Sequence, residues 1–216
     1  MTDQLVPIPS PGIPLFYGTP GDPVVIVLHD WYGRLPGLDP FATALASRGF
    51  RVAVPDLYDG VCTTDDATAQ TLMDNLDVAT ALAEVDDAIA QGQETGDEHV
   101  GLVGFSLGGW LALVHAQAGA ADAVVTYYSS LRNSQHGLIP CPVLMQWAED
   151  DDWEAGDGPE EFVERLKDHG TPVTEHTYLG TVHGFANASI PAKINAQAAA
   201  LAFARSVVFL EKYLVG

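Results

Sequence analysis

Cations are scarce in this chain: nine lysines and arginines stand against 29 aspartates and glutamates in 216 residues, a formal net charge of −20. A polyanion would meet a repulsive field, so neither nucleic acid nor an anionic membrane is expected as a partner. Cysteine is scarcer still. Cys62 and Cys141 allow at most one disulfide, and without a clustered pair of histidines they make no zinc site. Free thiols in a reducing compartment are the expectation. No apolar run reaches the length of a membrane span. Met1-Thr2-Asp3-Gln4 also lacks the basic residues and apolar core of a signal peptide, which points to the cytoplasm.

What remains is an apolar, lightly charged composition. Apolar residues make up 47% and charged residues 18%, the balance of a globular chain with a substantial core. The length fits one domain over residues 1–216, without internal repeat or linker, and a monomer is expected. The acidity reads as a solubility device, as in a salty cytoplasm.

Strand-like runs alternate with helical patterns. Val24 to His29 is a continuous β-branched apolar run, as expected of a strand buried on both faces. Further strands are predicted at Phe50 to Pro55, His99 to Val103, Ala123 to Tyr128, Val143 to Trp147 and Val173 to Leu179, with an antiparallel edge at Leu15 to Tyr17. Helices are predicted from Asp39 to Arg48, Asp65 to Ala90, Trp110 to Ala118, Pro159 to Asp168 and Ala192 to Tyr213. Repeated βα units imply an α/β fold, a mostly parallel central sheet flanked by helices on both faces. The length leaves no room for a large cap.

Gly104-Phe105-Ser106-Leu107-Gly108-Gly109 sits where a strand passes into a helix. A serine between glycines at such a turn is a nucleophile elbow: the tight bend excludes side chains at the flanking positions and exposes the hydroxyl at the sheet's carboxyl edge. The Leu107 amide, opening the helix, is placed to donate to a developing oxyanion. A serine hydroxyl is hardly ionised at neutral pH, so it needs a base and a carboxylate to orient that base, in the chain order serine, acid, histidine. Of His169, His176 and His183, only His183 falls in the loop after the last strand, where the base belongs. The acid should follow the Val143 to Trp147 strand, and Asp150, Asp151 and Asp152 all qualify, with Glu149 and Asp157 nearby.

Several stretches together resemble the dienelactone hydrolase family of α/β-hydrolases. They are Val25-Ile26-Val27-Leu28-His29-Asp30-Trp31-Tyr32-Gly33, Val54-Pro55-Asp56-Leu57-Tyr58, the elbow, Tyr127-Tyr128 and His183-Gly184-Phe185-Ala186-Asn187. The resemblance runs over nearly the whole length. It implies that the acid stands in a Gly-Glu-x-Asp motif, here Ala148-Glu149-Asp150-Asp151, which selects Asp151. It also implies a second oxyanion donor, the amide after the acidic residue of the first βα loop, here Trp31.

The chain departs from the family in three ways. The founding members use cysteine where Ser106 stands, so the nucleophile here depends on His183. The family's glutamate in the first loop is Asp30, an accessory or structural group. An arginine that holds the substrate carboxylate is replaced by Asn187, and no lysine or arginine occurs between Arg51 and Arg132. Arg34 is the sole cation of the first loop and, with Asn187, a candidate for the substrate pocket; the alternative for Arg34 is a solvated loop arginine. Trp31, Tyr32, Tyr58, Tyr127, Trp153 and Phe185 are expected at the catalytic edge, lining a pocket for a neutral, moderately apolar group. The resulting expectation is a Ser106-His183-Asp151 hydrolase of small esters or lactones that needs no metal or cofactor. Dienelactone hydrolysis with altered anchoring and thioester hydrolysis are enzyme alternatives. A hydrolase-fold binding protein is the alternative from another class.

Overall fold

The structure, a computed structural model, describes residues 5–94, 98–151 and 157–216. Its strands are β1 (Leu15–Tyr17), β2 (Val24–Leu28), β3 (Arg51–Val54), β4 (Val100–Phe105), β5 (Ala123–Tyr127), β6 (Val143–Asp150) and β7 (Val173–Val182). They form one seven-stranded sheet in the order β1-β3-β2-β4-β5-β6-β7. Every pairing is parallel except that of β1, which runs antiparallel to β3 at the edge as expected. The chain leaves β2 toward β3 on one side and returns to β4 on the other. This makes the carboxyl ends of β2 and β4 a topological switch point, where ligands bind in open α/β sheets.

Alternate residues of the central strands feed two cores. Val24, Ile26, Leu28, Leu102 and Val124 pack with residues of α3 (Val78–Gln93), α4 (Leu107–Ala116) and α5 (Pro159–Asp168). Val25, Val27, Val103, Phe105 and Val125 pack with α1 (Leu38–Ala46) and α6 (Ala196–Leu210) on the opposite face. The period-two alternation of side chains thus has apolar partners on both faces, which is why β2 reads as an unbroken apolar run. No helix among the described residues is long and apolar enough to cross a membrane.

The two largest departures from the expected helices are a break and a later start. The segment expected as one helix over 65–90 is two, α2 (Asp66–Asp74) and α3, because two aspartates cap. Asp65 accepts the Thr68 amide and Asp77 accepts the Thr80 amide. Each cap satisfies a helix-start N–H that a continuous helix would spend internally. Leu72, Leu76 and Leu82 all pack on the first core, so apolar spacing carries on across the break and hides it. The last helix begins at Ala196 instead of Ala192. Asn195 caps it by accepting the Ala198 amide, which leaves residues 183–194 as the loop that carries His183.

Two buried polar groups hold the loops at the carboxyl edge. Arg34, 3% exposed, donates to the carbonyls of Pro9, Ser10, Ile13 and Val54 and lies 3.8 Å from Asp56. His29 is fully buried. Its Nδ1 donates to the Asp30 carbonyl at 2.7 Å and its Nε2 accepts the Leu57 amide at 3.1 Å, which ties the β2 loop to the β3 loop.

Burial pushes His29 down from 6.5 to about 4. The unfolded chain takes up this proton near the ordinary histidine value, whereas the folded chain resists until about 4. Stability from His29 is therefore complete above about 6.5 and is lost as pH falls toward 4. His136, also held down to about 4 chiefly by burial, adds to the same loss. Replacing His29 by Gln should cost roughly 1–3 kcal/mol at neutral pH. In thermal melts the gap between wild type and His29→Gln should narrow from pH 7.5 to 4.5; a constant gap would contradict this account.

Candidate active site

Ser106 leaves β4 with φ 52° and ψ −113°, a left-handed turn that a non-glycine residue adopts only at a cost of about 1–3 kcal/mol. Its surroundings hold it there. The Ser106 amide donates to the Tyr127 carbonyl at 3.0 Å, and its own carbonyl accepts the Trp110 amide at 2.9 Å. A Cβ on Gly104 would lie 2.2 Å from the Gly108 carbonyl oxygen, and one on Gly108 would lie 2.4 Å from that of Leu28. The flanking glycines are thus set by backbone approach: α4 is pressed onto the end of β2, and only hydrogen fits between.

Ser106 Oγ lies 2.7 Å from His183 Nε2, and His183 Nδ1 lies 2.8 Å from Asp151 Oδ1. The three come from the ends of β4, β7 and β6 and form one hydrogen-bonded line across the carboxyl edge of the sheet. The His183 and Asp151 side chains are only 13% and 17% exposed. Tyr128, with φ 42° at the end of β5, sets its ring edge-on against His183 at 4.9 Å. Glu149 is not in the line. Its Oε2 accepts the Gly180 amide at 2.6 Å, and its own amide donates to Thr181 Oγ1, so it ties the acid-bearing end of β6 to the histidine-bearing end of β7.

The oxyanion candidates come from separate elements. Leu107 is the first residue of α4, and Trp31 sits in the turn after β2. Asp30 is 6% exposed; its Oδ1 accepts the Tyr32 amide at 3.0 Å and its Oδ2 accepts the Asn187 side-chain amide at 2.7 Å. Burial raises its pKa, while the Tyr32 N–H and the Asn187 amide pull it back down. Asp30 and Asn187 share the wall of a cavity of about 30 Å³ with Leu38, Phe41, Phe105 and Tyr128.

The expected pocket residues are distributed differently. Arg34 lies under the N-terminal segment, its donors spent on carbonyls, and is not a pocket cation. Tyr127 is fully buried with its hydroxyl 2.8 Å from Ser206 Oγ, and Phe185 is fully buried against Tyr128 and Tyr178. Both are core residues: Tyr127 ends β5 and faces Ser206 of α6, while Phe185 is tucked into the second core by the histidine loop. Tyr58 is buried beside the His29 ring. Tyr32 is 1% exposed and donates its hydroxyl to Asp66 at 2.5 Å. Asp152 and Trp153 lie outside the described residues. Lys193, not singled out in the sequence, stands with its ammonium 5.5 Å from the Trp31 ring centre and 5.2 Å from that of Tyr32. Its sequence signal is only that no other cation lies between Lys167 and Arg205. Cys62 and Cys141 are free and buried. Among the described residues, no three His, Cys, Asp or Glu side chains gather as a metal ion would need.

A family model described as "Dienelactone hydrolase family" matches residues 15–214. The chain belongs to the dienelactone hydrolase family. It is therefore a member of a family of hydrolases. It is 26% identical over 228 residues to the protein usf of Aquifex pyrophilus, covering 98% of this chain and 99% of that one. It is 28% identical over 212 residues to a carboxymethylenebutenolidase of Rhodococcus opacus, covering 90% of this chain and 82% of the relative. A crystal structure of a putative dienelactone hydrolase from Klebsiella pneumoniae superposes with a TM-score of 0.71 at 20% identity, covering 89% and 88% of the two chains. That likeness shows the α/β-hydrolase fold.

The backbone approach at the elbow makes a stability prediction for this family member. Gly108→Ala should lose at least about 2–3 kcal/mol, since the new methyl meets carbonyl oxygens that cannot move aside. Gly158→Ala, where nothing lies within 4 Å, should stay within about 1 kcal/mol. Chemical denaturation of both variants checks the contrast, and equal losses would remove the steric explanation.

Proposed function

We propose that this protein hydrolyses small carboxylic esters or lactones through an acyl-enzyme on Ser106. The observation that carries the reading is the continuous line Ser106 Oγ to His183 Nε2 at 2.7 Å and His183 Nδ1 to Asp151 Oδ1 at 2.8 Å. Ser106 Oγ attacks the carbonyl carbon as its proton passes to His183 Nε2. Asp151 accepts the Nδ1–H, which fixes the tautomer and stabilises the imidazolium. The carbonyl oxygen takes the negative charge and is met by the backbone amides of Trp31 and Leu107. Collapse breaks the acyl–oxygen bond, and the departing alkoxide takes the proton from His183. Water then repeats the sequence, giving its proton to His183 and releasing the acid and free Ser106. No step calls on a metal or cofactor.

A second reading, hydrolysis of an anionic lactone as the name of the Rhodococcus opacus relative suggests, is favoured by one observation. The Lys193 ammonium over the Trp31 and Tyr32 rings puts a positive charge beside the proposed oxyanion loop, although Asn187 is uncharged.

Fluorophosphonate treatment should add one adduct by intact mass, absent in Ser106→Ala, and that variant should lose roughly 10³-fold or more in ester hydrolysis. Labelling that persists in Ser106→Ala would remove Ser106 as the nucleophile. A panel of short nitrophenyl esters, simple lactones and a dienelactone separates the two readings. Lys193→Gln should weaken only the dienelactone reaction if the second reading holds.

A further inference from the structure

The loop after β2 and the loop after β7 carry Trp31 and His183, residues 152 positions apart that must meet at one carbonyl group in the proposed reaction. A run of side-chain hydrogen bonds joins these loops. The Tyr32 amide donates to Asp30 Oδ1 at 3.0 Å, and Asn187 Nδ2 donates to Asp30 Oδ2 at 2.7 Å. Asn187 Oδ1 in turn accepts the Ser189 amide at 2.8 Å, and Ser189 Oγ accepts the Gly37 amide at 2.9 Å. A Cβ on Gly37 would lie 2.4 Å from Ser189 Oγ, so the close contact at the far end depends on glycine.

The directions of these bonds leave little freedom. Because Asn187 Oδ1 is taken by the Ser189 N–H, its Nδ2 must point at Asp30. Asp30 then receives donors on both oxygens and keeps an acceptor face toward each loop. The hydroxyl of Ser106 has its own partner, His183 Nε2 at 2.7 Å, so the bonds of Asp30 run to the two loops.

We infer that Asp30, Asn187 and Ser189 are positioning residues that lock the Trp31 amide in register with His183, so that the oxyanion donor and the base address the same substrate carbonyl. The inference rests on the proposed serine hydrolysis and adds to it the device that aligns its two halves. Asn187 acts through Asp30 and the loop.

The charge surroundings of Asp30 make the test selective. It is faced by His183 and Lys193 from the loop after β7, by Tyr58 from the loop after β3, by Tyr128 from the end of β5 and by Tyr32 on its own loop. Asn187→Ala removes the donor at every pH. Asn187→Asp places two carboxyls where a single hydrogen bond stood, and such a pair holds on to one proton. That proton restores the link, and its loss at higher pH breaks it.

With 4-nitrophenyl acetate as probe, Asn187→Ala should lower kcat roughly 10- to 100-fold, the scale of a small misplacement of reacting groups, with KM within about two-fold. Asn187→Asp should lie close to wild type near pH 6 and fall away from it as pH rises toward about 9. A kcat unchanged in Asn187→Ala, a matching rise in KM, or an Asn187→Asp profile parallel to wild type would overturn the inference. If Asn187→Ala does not fold, the Asn187→Asp profile decides alone. Ser106→Ala, measured alongside, separates the two levels. Activity retained there sinks the serine reading itself, whereas an inactive Ser106→Ala beside unaffected Asn187 variants sinks only the positioning role.

Discussion

The backbone contact between the start of α4 and the end of β2 is the constraint on which the rest of the carboxyl edge depends. Gly108 stands against the Leu28 and His29 carbonyls, and this contact fixes Ser106 in its left-handed turn. The same contact places the first amides of α4 beside the loop that begins at Asp30. The nucleophile candidate and both oxyanion candidates therefore share one packing event at the switch point of the sheet. The candidate base and acid are delivered separately, by the long parallel pair β6 and β7.

That division explains what could be read from the amino-acid order. The elbow is a local object: glycines at 104 and 108 and the apolar run before them carry its geometry, so Ser106 and Leu107 were legible. His183 was legible because a loop after a terminal strand is also a local feature. Asp151 needed more, since its aspartate neighbours have the same spacing from β6, and the family motif made the choice. The Asp65 to Ala90 segment misled because its leucine spacing continues through the break that Asp77 imposes.

The pocket residues were least legible, for a physical reason. Aromatic residues near a catalytic edge serve the core below it as readily as the space above it. Tyr127 went to the core because its place at the end of β5 faces α6, and Phe185 because the histidine loop tucks it into the same core. Arg34 reads in sequence as a solvated loop cation, yet the N-terminal segment wraps over it. The tie from Asp30 through Asn187 to Gly37 crosses more than 150 positions, and no local pattern announces a partner at that distance.

The buried Arg34 has a consequence for how far the chain can drift in sequence. Its guanidinium serves the Pro9, Ser10, Ile13 and Val54 carbonyls together, two on each terminal nitrogen. A planar fork can do this; the compact ammonium of lysine, on a stem with no lateral arms, cannot span the same oxygens. A change that conserves charge would thus strand several carbonyls at once. In this protein the identity of one cation is dictated by shape, while its charge faces Asp56.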